Sequence, residues 1–464
     1  MNTNRTKRII TIVAVVQIVM IMGLLALPTI VQAIPGRYRV ALAERSPFLS
    51  GIAEGVMEQV APVATALPAP SIASAEQIDI ASLVVTRPIA VADPPTPTQE
   101  PTATIEIVAS EAVEEETAVT PSPIPSPTAE PTATAEPTPE PLPTQVVLEG
   151  MGRIQQTFNN CGPANLTQVL NFHDYDITQE DIRLVLKPNS EDRNVSPWQI
   201  QDFVNEQTPF QAIARTNGTQ EMIKQFIAAG LPVVVEKGYS LPESGWWGHY
   251  ITIYGYDDEQ QKFYTQDTYL SPLDNTGRPL PYADLDEFWK QFNYTFYVVY
   301  EPLQEEIVHN ILGETMLDNF TMWQLTANRA LQETESEPAN PFVWFNLGAA
   351  LTEMAKLTGE AQYYQAGAQA FDKSRVSELP PRMLWYQFQP YPAYLAVGRY
   401  EDVFTLVNAV LSNSGGLDVE ETYYYQGQLR EAMGDAAGAV VSYQEAVRLN
   451  PGYEAAVAAL AEAE

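Results

Sequence analysis

The sequence holds one cysteine, Cys161, in 464 residues. A single thiol excludes every intramolecular disulfide and every metal site built on several cysteines. Histidine is nearly as scarce: His173, His249 and His309 are the only imidazoles. Cations are few as well, with 25 Lys and Arg against 58 Asp and Glu, a formal net charge of -33. Binding a polyphosphate needs clustered cations that release counterions, so no nucleic-acid partner is expected. Polybasic attachment to anionic lipid is excluded on the same ground. There is no Gly-rich phosphate loop, and neither a cofactor nor a metal is expected.

What is present changes sharply along the chain. Arg5, Lys7 and Arg8 precede an uncharged apolar run over residues 9–33. That run exceeds the ~7–15 residues of a signal h-region and meets the ~20 needed to span a bilayer. Val31-Gln32-Ala33 offers a small-residue cleavage site. Residues 1–35 therefore read as a signal peptide or as a signal-anchor transmembrane helix. The cationic end stays inside, so the folded part is extracytoplasmic, secreted or held at the cell membrane as a single-pass protein. Residues 36–145 read as a linker. From about residue 92 it is rich in Pro, Thr and Glu, as in Pro125-Ser126-Pro127-Thr128. Such composition cannot bury enough apolar surface to offset chain entropy, so it is predicted to be a disordered, extended stalk.

Folded sequence begins near residue 146. Residues 146–303 mix helix and strand signals, and residues 304–464 are helical throughout. Helices are predicted over 162–171, 178–186, 197–206 and 219–229, with Thr178 and Ser196 as caps. Strands are predicted over 232–236, 250–256, 262–267 and 294–300. Helices first and an antiparallel sheet afterwards make an α+β domain.

The lone thiol stands in Cys161-Gly162-Pro163-Ala164-Asn165-Leu166. Proline just inside a helix start is favoured, which puts Cys161 at the N-terminus of the helix. Free amides and the helix dipole there favour a thiolate. A thiolate nucleophile needs an imidazole partner. His173 lies about three turns away at the far end of the same helix, and His309 reads as solvent-facing. His249, in Trp246-Trp247-Gly248-His249-Tyr250, opens a strand and is the remaining base. A hairpin centred on Asp258 would pair His249 directly with Asp267, whose carboxylate would orient the imidazole. The Cys161 N–H and an upstream amide, Gln155 or Gln156, would supply the oxyanion hole. Trp246 and Trp247 read either as a wall of the substrate groove or as packing behind the His249 strand.

Gln155-Gln156 ahead of Asn159-Asn160-Cys161-Gly162-Pro163-Ala164, then Gly248-His249-Tyr250, then Asp267 resembles the C-39-like cysteine peptidases. These are papain-like relatives of the domains that clip double-glycine leaders from bacteriocin precursors. The resemblance covers roughly residues 150–300. It implies a Cys161 nucleophile, a His249 base, an orienting Asp267, a glutamine oxyanion donor and a peptide or protein substrate. Leader-clipping relatives are joined to transport and ATP-binding domains, and nothing in this sequence reads as either.

The last third resembles the tetratricopeptide pattern. Tyr423, Gly427, Ala439, Tyr443, Ala446 and Pro451 fall on its aromatic, small and terminating positions, and Trp344-Phe345-Asn346-Leu347-Gly348 matches the opening of another repeat. The second helix of that repeat comes late, which predicts a longer turn near Thr358-Gly359. Such repeats present a surface to a protein or peptide partner. The sequence thus reads as a multidomain, extracytoplasmic cysteine peptidase: an α+β papain-like domain plus an all-α tetratricopeptide solenoid. A catalytically inactive papain-fold adaptor, or another papain-fold amide hydrolase or transferase, stays open beside it.

Overall fold

The structure, a computed structural model, describes residues 66–71, 78–85, 141–241, 245–272 and 276–463, together with Gln17. Apart from Gln17, the apolar run 9–33 and the Pro/Thr-rich residues 92–140 lie outside the described residues. Among the described residues no helix is long and apolar enough to cross a membrane.

The first folded part is built on an antiparallel sheet. Its strands are β1 (Gln145–Val147), β2 (Gln211–Arg215), β3 (Val233–Leu241), β4 (Gly245–Asp257), β5 (Lys262–Gln266), β6 (Arg278–Pro281) and β7 (Phe296–Tyr300). They lie in the order β2-β7-β3-β4-β5-β6, and β1 pairs with the end of β4 that β3 does not reach. Helices α2 (Cys161–Phe172), α3 (Gln179–Leu186) and α4 (Pro197–Gln207) precede β2, and α5 (Gln220–Ala228) follows it. α3 and α4 each open on a capping box, Thr178 with Asp181 and Ser196 with Gln199. Each box satisfies orphan amides at the helix start.

The sequence pattern missed β1, β2, β6 and α6 (Tyr282–Trp289). β2 is a short segment at the sheet's end: it pairs with β7 on one side, and on the other the Asn205 and Gln201 side chains of α4 bond its Ala212 and Ala214 backbone groups. β6 reads Arg-Pro-Leu-Pro, and prolines are tolerated there because the strand is an edge.

The β4–β5 register corrects the expected hairpin. Asp257 pairs with Lys262 and Tyr256 with Phe263; after an irregularity around Tyr254, Thr252 pairs with Gln266. The loop runs over 258–261 and closes on Gln261 in the left-handed region, φ 51°. Its centre lies past Glu259, not at Asp258. His249 and Asp267 are therefore diagonal neighbours, not direct cross-strand partners.

After a single 3-10 turn at Pro302–Gln304 the chain continues directly into helices. These are α7 (Glu305–Leu317), α8 (Asn319–Ser336), α9 (Pro341–Thr358), α10 (Ala361–Val376), α11 (Pro390–Ala396), α12 (Tyr400–Leu411), α13 (Glu420–Ala432), α14 (Ala436–Leu449) and α15 (Glu454–Ala463). Two hairpins share one packing device. Gly348 of α9 lies under Phe371 of α10, where a Cβ would come 2.7 Å from the ring, and Gly427 of α13 lies in the same way under Tyr443 of α14. The first hairpin does not have the longer turn expected near Thr358-Gly359. Gly359 closes α9 at φ 73° and α10 starts two residues later. The extra length is helix, distributed over both arms, which keeps glycine and aromatic on facing sides.

The helical half does not stand apart from the sheet. One core runs from Val233, Ile251 and Phe296 through Trp289 to Leu312, Met322, Leu347 and Ala350. Arg215 of β2 donates to the carbonyls of Met316 (2.6 Å) and Leu317 (3.3 Å), satisfying the C-terminal end of α7. Parts of the expected linker are packed as well. The Leu67 N–H donates to Leu379 O at 2.8 Å, and Arg375 donates to Pro68 O and Ala69 O at 2.8 and 2.9 Å. Helix α1 (Ile80–Val85) buries Val84 against α8. Described chain on either side of the Pro/Thr-rich stretch, at Val84 and at β1, packs on the folded body; the expected stalk itself lies outside the described residues.

A chain cut after residue 303 would uncover the part of the shared core that α7, α8 and α9 complete. Loss of a shared apolar core removes most of a domain's stability margin. Such a fragment is expected to lack the cooperative thermal unfolding of the full folded body; an intact transition, followed by circular dichroism, would contradict the shared core.

Candidate active site

Cys161 is the first residue of α2, with Asn160 as N-cap and no side-chain capping bond. The preceding Asn159 sits at φ 52°, so the loop turns sharply into the helix. Lys187 holds that loop, its ammonium donating to Asn159 O (2.6 Å) and Asp192 O (2.7 Å) while buried.

One side chain fixes the helix to the strand of the imidazole. Asn165, four residues on and on the same helical face as Cys161, is fully buried. Its Nδ2 donates to Cys161 O (2.9 Å), Tyr250 O (3.0 Å) and Thr268 Oγ1 (3.3 Å). Its Oδ1 accepts from Thr252 Oγ1 at 2.8 Å and from Gln168 Nε2 at 3.4 Å. The start of α2, β4 and the segment after β5 are thereby tied at one point.

His249 on β4 is buried, and its Nε2 meets Asp267 Oδ1 at 2.9 Å. The other ring nitrogen, Nδ1, has no hydrogen-bond partner, and this side of the ring faces the Cys161 thiol. Asp267 lies one residue beyond β5, in a turn that suits a carboxylate. Its Oδ1 also accepts from the N–H of Tyr269 (2.8 Å) and Leu270 (2.9 Å), and Ser271 Oγ accepts from its N–H at 2.7 Å. The diagonal offset explains how the pair meets despite the register: a carboxylate just past the strand end reaches back across it.

The electrostatics form a line of alternating charge. Burial would raise the Cys161 thiol, yet the facing His249, the Tyr250 backbone and the Lys187 charge together hold it below the ordinary value. Burial would lower His249, but the Asp267 carboxylate and the thiolate push it up to about 9. Asp267, despite burial, is held well below the usual carboxylate range by the imidazolium and by two backbone N–H groups. Both shifts favour a thiolate–imidazolium pair.

The two upstream glutamines differ. Gln155 accepts from Arg153 Nη2 at 2.6 Å, and its carbonyl accepts from Gln179 Nε2. Gln156 Oε1 accepts from Thr268 Oγ1 at 2.7 Å, and its N–H donates to Thr268 O. Thr268 itself accepts from Asn165, so its hydroxyl proton goes to Gln156 Oε1. That turns the Gln156 amide oxygen to Thr268 and leaves its NH2, like that of Gln155, without an acceptor among the described residues. The two tryptophans also separate, because successive side chains of a strand point to opposite sides. Trp246 is buried, stacked on Phe292 at 14° and bonded through Nε1 to Gln291, so it is packing and not a groove wall. Trp247 lies beside His249 and Tyr269, with ring centroids 5.7 and 5.6 Å away.

His173 bonds Val299 O from the far end of α2, and His309 is half-exposed near Glu305. Sequence reasoning missed Asn165, Thr268 and Lys187. The i+4 spacing from Cys161 was a signal for Asn165; nothing local marks the other two. Among the described residues no group of three or more His, Cys, Asp or Glu could hold a metal ion.

Residues 148–297 match the family model of the Peptidase_C39 like family. This stretch is a C39-like domain. A solved structure described as a C39-like peptidase from Bacillus anthracis is similar at 15% identity, covering 34% of this chain and 98% of that one, with a TM-score of 0.28. No curated protein matches the chain.

The ion pair of the C39-like domain has a pH signature. Cys161 is the nucleophilic form above its lowered pKa, and the imidazolium persists to about pH 9. Alkylation by iodoacetamide should therefore become fast at a lower pH than for a free thiol. His249→Ala removes the main lowering influence and leaves burial, which raises the thiol; the rate at pH 7 should drop at least about tenfold. Profiles that coincide for the two proteins would refute the ion pair.

Proposed function

We propose that the chain is an extracytoplasmic cysteine peptidase in which Cys161 is the nucleophile, His249 the acid–base residue and Asp267 the residue that orients it. The observation that carries the reading is the His249 ring: one nitrogen is bonded to Asp267 at 2.9 Å and the other faces the thiol at the head of α2. A buried histidine with a purely structural role uses both nitrogens on fixed partners. The C39-like match points to a peptide or protein substrate.

In this reading the thiolate attacks a peptide carbonyl carbon, and the carbonyl electrons move to oxygen. The Cys161 N–H and the Gln156 Nε2 donate to that oxyanion. Collapse expels the amine, which takes the proton from His249, leaving a thioester. His249 then accepts a proton from water, hydroxide character adds to the thioester, and the carboxylic acid leaves with the thiolate restored. Asp267 stays ionised throughout and keeps Nδ1 aimed at sulfur.

The cationic start and apolar run of residues 1–33 support the extracytoplasmic placement, with membrane contact if that segment is uncleaved. The matched Gly348–Phe371 and Gly427–Tyr443 hairpins support reading the C-terminal half as tetratricopeptide-like, with a surface for a protein partner.

A peptide-library cleavage assay on the full chain tests the reading. Wild type should cut a subset of peptides and Cys161→Ala none. Gln156→Ala should lower kcat about 10²–10³-fold, the range for a lost oxyanion donor, whereas Gln155→Ala should cost far less. Absence of turnover with the alkylation profile intact would favour a binding role for the fold.

A further inference from the structure

The helical half holds a short extended peptide, and that peptide is the chain's own. Leu67-Pro68-Ala69-Pro70-Ser71 is bonded by α10, by α12 and by Leu379, just past α10. Its first residue is an anchor. The Leu67 side chain is buried in one apolar cluster with Phe345, Phe371, Leu379 and Met383, and its N–H donates to Leu379 O at 2.8 Å. Two side chains bond the rest. Arg375 of α10 donates from Nε to Pro68 O at 2.8 Å and from Nη2 to Ala69 O at 2.9 Å. Asp402 of α12 accepts from the Ser71 N–H at 2.9 Å and from its Oγ at 2.7 Å. Arg375 and Asp402 are both buried and paired with each other at 2.7 Å, and Arg399 holds the second Asp402 oxygen, also at 2.7 Å.

These contacts ask for a shape and a simple pattern. Most go to the main chain: the N–H of residues 67 and 71 and the carbonyls of 68 and 69. Side chains matter at the two ends, an apolar one in the cluster and a hydroxyl on Asp402. The prolines between have no N–H to satisfy and hold φ near the extended form, which lowers the entropy cost of ordering the segment. The pattern is apolar-Pro-small-Pro-Ser/Thr. A buried guanidinium stripped of its carbonyl acceptors is costly, so this site favours some extended occupant at all times.

The same pattern recurs in Ile124-Pro125-Ser126-Pro127-Thr128. Of the Pro-x-Pro runs between residues 92 and 145, this one alone has an aliphatic residue before it and a hydroxyl residue after it. It lies outside the described residues. The 16 residues from 129 to 144 join it to β1, a reach of about 55 Å when extended, enough to cross a body of this size.

We propose that Arg375, Asp402 and the apolar cluster around Leu379 form a recognition site for extended apolar-Pro-small-Pro-Ser/Thr segments, and that residues 124–128 of the same chain are its second occupant, exchanging with residues 67–71. The assignment does not depend on the peptidase reading. It gives the helical half a peptide ligand of defined chemistry.

A fluorescent peptide of residues 122–130, titrated into full-length chains and followed by anisotropy, tests this. Leu67→Asp removes the resident anchor, and Leu67→Asp with Ile124→Asp removes both. Wild type and Leu67→Asp should bind the peptide weakly, because one tethered segment or the other fills the site. The double variant should bind at least about tenfold tighter, since a tethered competitor at an effective concentration near mM is gone. Ser71→Ala in place of Leu67→Asp leaves the apolar core intact and should keep the same order with a smaller spread. Equal affinity of Leu67→Asp and the double variant would overturn residues 124–128 as the occupant. So would a dimer of Leu67→Asp in sedimentation, which would assign the occupant to a second copy. No binding by any of the chains, or undiminished binding of the Ile124→Asp peptide, would overturn the site itself.

Discussion

Everything at the site depends on holding the head of one helix against one strand of the sheet, and Asn165 does this. Its amide bonds the Cys161 carbonyl, the Tyr250 carbonyl and the Thr268 hydroxyl, while its oxygen takes protons from Thr252 and Gln168. Such a group is costly to bury unless every bond is made. Thiol and imidazole strand therefore share one reference. The relay from Asn165 through Thr268 to Gln156 extends that reference to one of the two upstream glutamines.

The second constraint is electrostatic. Cys161, His249 and Asp267 all lie where burial opposes their charged forms, and each neighbour shifts the next toward its charged form. Asp267 is the fixed end of the line, since two backbone N–H groups stabilise it independently of the histidine. Lys187 adds a positive charge at the other end, tied to the loop that turns into α2.

The third is the continuity between halves. The sheet face opposite α2 is covered by α5 and α6 together with the C-terminal helices, and chain from before the Pro/Thr-rich stretch closes over those helices. The helical half thus shares its core with the C39-like domain. Tyr386 can pack on the imidazole strand because residue 248 has no side chain.

The sequence alone determined the local parts. One cysteine before Gly-Pro fixed the thiol at a helix start, three histidines left one base, and caps at Thr178 and Ser196 marked two helices, because these signals act within a few residues. It also singled out Asp267, although through a register that the four-residue loop 258–261 does not adopt. Only the tertiary structure decided that Gln156 and not Gln155 is tied through Thr268 to Asn165, that Trp246 is packing while Trp247 flanks the imidazole, and that Tyr386 packs on Gly248. The same holds for the packed segments at Leu67 and Val84. Each of these depends on a contact between residues far apart in the chain, and periodicity and capping carry no information about such contacts.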